Sequence, residues 1–379
     1  MTRPLEGCRV LDLGIITAGA ATSALLADLG AEVIKVESPT YRDPFRVWVA
    51  PPDGQQALAP FFRFTNRSKR GASLNLKQPA GRDAFLRLAA RCDIVVENFR
   101  RGVLDRLGIG YDALKAANPH IILASISSQG ETGPLSQYVS FGSTLEAVAG
   151  LASLTGYAGG PPVLSGKEVN LPDQNIALFA AGMILTAWLA RRRGGPSVRL
   201  DLSQRELTSF MIGEAFAASA PAERVGNAEP PFALQDCVLA ADNRYFALSV
   251  TDEQLSALDR LIGGDGTRTS RLVAWAARYD REAAVAALRD AGIPAAPVLD
   301  GRGMAAMRGK LWSQAIAMDP RYGQLKGFPF QLDGAPLRVD GDAPAIGADT
   351  EAVLAEIGGY SATEIASLLA SGAAERTAR

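Results

Sequence analysis

Short apolar runs alternate with longer stretches of helical periodicity through the first half of the chain. Residues 9–13, Arg9-Val10-Leu11-Asp12-Leu13, read as a buried strand, and residues 20–29 as an Ala/Leu-rich helix stopped by Gly30. Strands follow at 33–36, 73–76, 94–96 and 121–125, with helices at 81–91 and 111–117 between them. Strands separated by helices of this length predict βαβ units and a parallel, Rossmann-like sheet, hence an α/β fold. Ligands of such sheets bind at the carboxyl ends of the strands, which singles out the loops after Leu13, Val36 and Val96.

The pattern then changes. A Gly/Pro-rich loop at 156–162 precedes a long apolar helix at 174–192, a strand at 198–202 and a helix at 204–216. Residues 217–231 are rich in Ala, Pro, Gly and Glu and read as a linker. Beyond it, strand-like 237–239 and 245–248 precede short helices, notably 282–291, so a smaller α+β domain is expected. Two amphipathic helices, 350–357 and 362–369, and a polar tail close the chain.

Composition narrows the chemistry. The chain has 379 residues, 47% hydrophobic and 21% charged, which is globular composition and room for two or three domains. A net charge of −1 provides no field to recruit nucleic acid or an anionic membrane. Cys8, Cys92 and Cys237 form no CxxC pair and suit a reducing compartment. The single histidine, His120, excludes multi-histidine metal sites, so no metal centre is expected; in Asn118-Pro119-His120 it reads as a loop residue at a strand entrance. The start of the chain has no apolar segment of the signal type. The longest apolar run, residues 176–190, falls short of the ~20 residues needed to span a bilayer and reads as a helix buried in protein. A soluble, cytoplasmic protein is the expectation.

Phosphate-loop motifs fail. Gly14-Ile15-Ile16-Thr17-Ala18-Gly19 has the wrong spacing for a dinucleotide fingerprint, and the segment 160–168 has one residue too many for a P-loop, with Glu168 after Lys167. Asp173, in Leu171-Pro172-Asp173-Gln174-Asn175, is sharper. At the head of an apolar helix it reads as an N-cap, and the same position favours an ionised carboxylate that can act as a nucleophile. Basic residues cluster as Arg63, Arg67, Lys69 and Arg70 before one strand and Arg100, Arg101 and Arg106 after another, with Lys35 inside a third; each group is either a solvated face or part of a polyphosphate site.

Residues 9–13, 26–37, 74–77, Asp93-Ile94-Val95-Val96-Glu97-Asn98-Phe99-Arg100, 107–111, 130–134, 224–227 and 291–298 together resemble family III CoA-transferases, the carnitine/bile-acid CoA-transferase group that includes formyl-CoA transferase. The resemblance runs along essentially the whole chain. It implies a Rossmann-like large domain (1–216, completed by 330–379), a linker (217–231), a smaller domain (232–329), and ring-shaped chains forming an interlocked homodimer. It implies CoA transfer between carboxylic acids through an anhydride and then a CoA thioester on Asp173, with no tightly bound cofactor and coenzyme A as part of the substrate. CoA contacts carry over at Thr17, Ala18, Leu74, Lys77, Asn98, Phe99, Arg100 and Arg106. The stretch 141–157 is most similar to members that use succinyl-CoA or related dicarboxylic acids.

Departures from the family pattern are local. Ala20 and Arg101 each stand where proline is usual, Ser68 breaks an Asn-x-Asn-Lys arrangement, and Gln174-Asn175-Ile176-Ala177 lacks the usual glycine. Gly194-Gly195-Pro196 replaces a Thr-Gly-x-Gly turn, and the tetraglycine lid of formyl/oxalyl-CoA members has no counterpart in 240–255, which argues against oxalate. Two other readings stand beside transfer. An α-methylacyl-CoA racemase would need a histidine that residues 138–144 lack. A non-catalytic CoA-binding protein would bind acyl-CoA without exchanging it.

Overall fold

Val10, Leu11 and Asp12 are buried at the centre of a seven-stranded sheet in the computed structural model. The structure describes residues 3–47, 58–166, 169–217, 223–307, 316–319, 323–333, 335–336 and 339–377. Lys167, Glu168 and residues 218–222 of the expected linker lie outside them. The chain divides into two compact units, Met1–Leu151 with Leu164–Ala217 and Ser313–Arg379, and Ala152–Val163 with Ala218–Trp312.

In the larger unit β1 (Arg9–Asp12), β2 (Glu32–Glu37), β3 (Arg70–Leu74), β4 (Ile94–Glu97), β5 (Ile122–Ser127) and β6 (Val198–Ser203) are parallel in the order β3-β2-β1-β4-β5-β6. The apolar runs of β1, β4 and β5 follow from burial on both faces, whereas β6 at the sheet edge alternates apolar and polar residues. Alternate residues divide between two cores. Leu11, Ile34, Ala72, Val95 and Leu123 face one; Val10, Val33, Ile94 and Ile122 face the other. Chain order reverses between β1 and β4, which makes the crevice beyond their carboxyl ends the expected place for a ligand.

Helix α1 (Ala18–Asp28) has ten of its eleven residues buried. Its small side chains let it lie flat against the sheet and under a long apolar helix. α2 (Pro60–Asn66) and α3 (Pro79–Ala89) flank β3, α4 (Val103–Arg106) and α5 (Tyr111–Ala117) lie between β4 and β5, and α6 (Gly142–Val148) follows β5. The long helix, α7 (Leu171–Arg192), begins three residues earlier than the sequence pattern suggested, because Asn170 adopts a left-handed conformation and Pro172 fits the first turn. By length and composition α7 could cross a membrane. One face, with Ile176, Ala180, Ile184 and Ala187, is buried in the core beside α1. The other carries Leu178, Phe179, Met183 and Leu189 at 45–48% exposure, so the helix read as buried in protein is, within one chain, buried on one side only. The expected helix 204–216 breaks at Met211–Gly213, leaving α8 (Gln204–Phe210) and a single turn at Glu214–Ala217.

In the smaller unit β7 (Phe232–Leu239) and β8 (Tyr245–Thr251) form an antiparallel hairpin, and β9 (Ala295–Pro297) adds to β8. Helices α9 (Leu255–Ile262), α10 (Arg268–Ala276) and α11 (Arg281–Asp290) cover it through Leu258, Trp275 and Leu288. The Gly/Pro-rich loop belongs to this unit. Gly226 donates its N–H to the Gly156 carbonyl at 3.1 Å, and Arg224 reaches the Gly160 carbonyl at 2.7 Å.

The chain then re-enters the larger unit through a hairpin, β10 (Ile316–Asp319) and β11 (Gly323–Lys326). Helices α12 (Thr350–Glu356) and α13 (Ala362–Ala370) complete the first core. The segment read as a polar tail instead contains β12 (Ala374–Glu375), which pairs antiparallel with β3 and covers that sheet edge.

Candidate active site

The loop between β1 and α1 is held from below by buried charge. Asp12 accepts from the Gly14 N–H at 2.8 Å and from Lys69 Nζ at 2.8 Å, and Lys69 also donates to Asn66 Oδ1 and the Ala20 carbonyl. Lys35 pairs with Asp43 at 3.0 Å, and Asp43 accepts the N–H of Ile16, a β-branched residue at φ 60°. Such a backbone persists only where its surroundings hold it. Asn98, just after β4, clamps the same loop from the other side, accepting from the Ile15 N–H at 2.7 Å and donating to the Ile15 carbonyl at 3.0 Å. Gly19 permits this approach, since a Cβ there would lie 2.7 Å from Asn98 Oδ1.

These bonds correct the polyphosphate reading of most basic residues. Lys35, Arg63, Arg67, Lys69 and Arg70 pair with Asp43, Asp342, Asp28, Asp12 and Glu32 respectively. Their charge is matched inside the fold and holds it together.

Above the loop, at the reversal point of the sheet, lies a cavity of about 1250 Å³. Its wall contains Thr17, Lys77, Asn98, Phe99, Arg100 and Asp173. Ala18 and Leu74 are buried behind it and Arg106 stands outside it. The N–H of Phe99 donates to Glu97 at 2.7 Å, which fixes the turn carrying Asn98 to Arg100; burial pushes the Glu97 carboxyl up to about 7.

Asp173 is not the N-cap that its position suggested. It sits inside the first turn of α7, one residue after Pro172, and Asn170 holds the cap position. Its carboxylate is therefore free of capping and turns to the cavity, where Oδ1 accepts from Gln204 Nε2 at 2.8 Å. Burial pushes the carboxyl up to about 6, opposed by hydrogen bonds from Gln204 and Asn170. A carboxylate of that basicity is roughly nine-tenths ionised at pH 7 and a better nucleophile than an ordinary one. Asn170 Nδ2 also donates to Thr17 Oγ1 at 3.3 Å, tying α7 to the loop after β1. Gly142 at the start of α6 completes the surround: a Cβ there would lie 1.9 Å from Asn170 Oδ1 and 3.3 Å from Asp173 Oδ2.

Asn170, Gln204 and Gly142 were not singled out by the sequence. Asn170-Leu171-Pro172 does carry a helix-start signal, an Asn followed by Pro in the first turn. Gln204 and Gly142 carry none, because they reach Asp173 only through tertiary packing. His120 is exposed in the turn before β5 and is not on the cavity wall. Among the described residues no three His, Cys, Asp or Glu side chains group as a metal site.

Residues 5–350 match the sequence profile of CoA-transferase family III. The acetyl-CoA:oxalate CoA-transferase of Acetobacter aceti is 36% identical over 265 residues, covering 69% of this chain and 67% of that protein. The succinyl-CoA–D-citramalate CoA-transferase of Chloroflexus aurantiacus is 31% identical over 349 residues, 86% of each. A solved CAIB/BAIF family protein from Brucella suis superposes with a TM-score of 0.82 at 29% identity, covering 94% of this chain and 100% of that one. The chain spans 59%, 67% and 66% of the length of three of the curated relatives it matches.

Proposed function

Since this chain belongs to CoA-transferase family III, we propose that it moves CoA from an acyl-CoA to a free carboxylic acid with Asp173 as the nucleophile. The observation that carries this reading is the Asp173 carboxylate itself, uncapped, raised in basicity and facing a cavity large enough for a CoA ester. Its attack on the thioester carbonyl breaks the C–S bond, releases CoA thiolate and leaves an acyl-aspartyl anhydride. The thiolate then attacks the aspartyl carbonyl, expelling the first acid and leaving an aspartyl-CoA thioester. The acceptor acid attacks that thioester to give a second anhydride, and the thiolate takes the new acyl group as Asp173 is restored. Each step exchanges one activated acyl for another, so the thioester energy is conserved provided water is excluded.

Lys77, Arg100 and Arg101, at the carboxyl ends of β3 and β4, supply the cations for the CoA phosphates, with Thr17, Asn98 and Phe99 on the same wall. The acids named for the two relatives, oxalate and D-citramalate, share two carboxylates, and we carry that chemistry to this chain as its substrate class. A racemase would need an imidazole, and the chain's single histidine is off the cavity wall. The apolar outer face of α7 is suited to burial against a second copy of the chain, consistent with a homodimer.

The test incubates the protein with acyl-CoA esters, adds borohydride and analyses the peptide around residue 173. Reduction of an aspartyl thioester to the alcohol at Asp173 is expected. An unmodified Asp173 with any substrate pair that turns over would overturn the covalent route.

A further inference from the structure

Four cations among the described residues line the cavity: Lys77, Arg100, Arg101 and Lys326. The first three come from the loops after β3 and β4, where the proposed phosphate contacts lie. Lys326 comes from elsewhere, the last residue of β11. Leu325 beside it is buried at 1% exposure and anchors the strand, while Lys326 itself is exposed. Its Nζ donates to Gln174 Oε1 at 2.9 Å, and Gln174 adjoins Asp173 in the first turn of α7. The cation thus lies on the wall of the cavity that Asp173 faces, apart from the strand-end group.

Its charge is unmatched there. Gln174 is neutral, and among the described residues no carboxylate lies within ion-pair distance of Lys326. The nearby Asp28 carboxylate is taken by Arg67, both almost wholly buried. An ammonium has three N–H donors, and the Gln174 contact uses one. An accessible positive charge, oriented by an amide, thus lines the same cavity as the Asp173 carboxylate.

We propose that Lys326 binds the distal carboxylate of a dicarboxylic acyl group whose other carbonyl reacts at Asp173. The inference rests on the CoA-transfer reading and assigns its substrate class to one residue. Lys326 takes no part in bond making or breaking; it sets which acyl groups are held against Asp173. A monocarboxylic acyl chain of the same length leaves the ammonium facing only Gln174 and gains nothing from it. A charge-assisted bond in a partly enclosed cavity corresponds to about tenfold to a hundredfold in selectivity.

The experiment compares succinyl-CoA with butyryl-CoA, four-carbon acyl groups that differ in the second carboxylate. Both give the same product on the protein, a CoA thioester on Asp173, so intact mass after acid quench reads either rate constant directly. We expect the wild type to favour succinyl-CoA, Lys326→Met to lower the succinyl-to-butyryl ratio tenfold or more, and Lys326→Arg to keep most of it. Gln174→Leu, which removes the orienting amide, should lower the ratio by a smaller factor. A ratio unchanged in a folded Lys326→Met protein overturns the assignment while leaving CoA transfer standing, and so does a wild type that favours butyryl-CoA. An adduct from neither ester overturns both.

Discussion

Gln204 donates its side-chain amide to Asp173 Oδ1 from the first position of α8, thirty-one residues along the chain from its acceptor. One carboxylate oxygen is thus fixed, which aims the side chain into the cavity, and the bond to the ionised form keeps its basicity from rising further. Removing the donor as Gln204→Leu should do two things at once. The acid limb of the pH–rate profile, expected near pH 6 in the wild type, should move up by roughly half to one pH unit. Turnover at pH 7 should fall by about tenfold as the carboxylate loses its orientation. A pH profile of kcat/KM checks both, and a limb that stays in place would mean that another group titrates.

Asp173→Asn separates the chemical role from the structural cost. Activity should fall by at least ~10³-fold, because an amide cannot form the anhydride. Stability should move the other way. The folded carboxyl titrates at about 6 against 3.8 for the ordinary group, so the folded chain holds the proton more tightly. Ionisation therefore costs nothing below pH 3.8, costs progressively more as pH rises toward 6, and is fully felt above 6. The neutral variant should exceed the wild type by about 1–3 kcal/mol at pH 8, with the difference shrinking toward pH 4. Thermal melts of both proteins across that range decide it.

What the sequence disclosed, and what it withheld, follows from the range of each interaction. The β1 and β4 strands and helix α5 were legible because buried parallel strands and amphipathic helices leave local periodic signals. So was Asp173, by proline and position. Its role as a cap was misread because capping is decided by backbone conformation, and Asn170 takes the left-handed one. The basic residues were ambiguous for a different reason. Lys69 and Arg67 look the same in sequence whether they face a phosphate or a buried carboxylate, and only the fold shows Asp12 and Asp28 opposite them. Lys326 reaches Gln174 across 152 residues, a contact for which no local pattern exists.

Gly142 has an ordinary backbone, so its importance is steric. An alanine methyl would lie 1.9 Å from Asn170 Oδ1, and Asn170 is the residue that ends the loop before α7 and bonds Thr17. Gly142→Ala should displace Asn170 and shift Asp173 with it, lowering turnover by about a hundredfold, since small misplacements at a reacting centre are expensive. The cost to stability should be smaller, about 1–3 kcal/mol, because overpacking at one contact is absorbed locally. Activity and denaturant unfolding measured together test the split; equal losses in both would point to global disruption instead.

The pair Lys69 and Asp12 lies fully buried under the loop after β1, so it tests whether internal charge builds the site. Lys69→Met leaves the Asp12 carboxylate without its cation in a dry interior, which should cost about 3–5 kcal/mol. Asp12→Asn combined with Lys69→Met removes both charges and should restore most of that loss. The restored protein should still bind CoA more weakly than the wild type. Asp12 also accepts the Gly14 N–H at 2.8 Å, and Lys69 ties the same network to the Ala20 carbonyl and Asn66, so the loop leading to Ile16 and Thr17 loses its fixed geometry. Urea unfolding of the two variants, with CoA affinity measured by calorimetry, separates the terms. If the double variant regained stability and full affinity together, the network would serve folding alone, and the loop would have to draw its shape from Asn98 and Asp43.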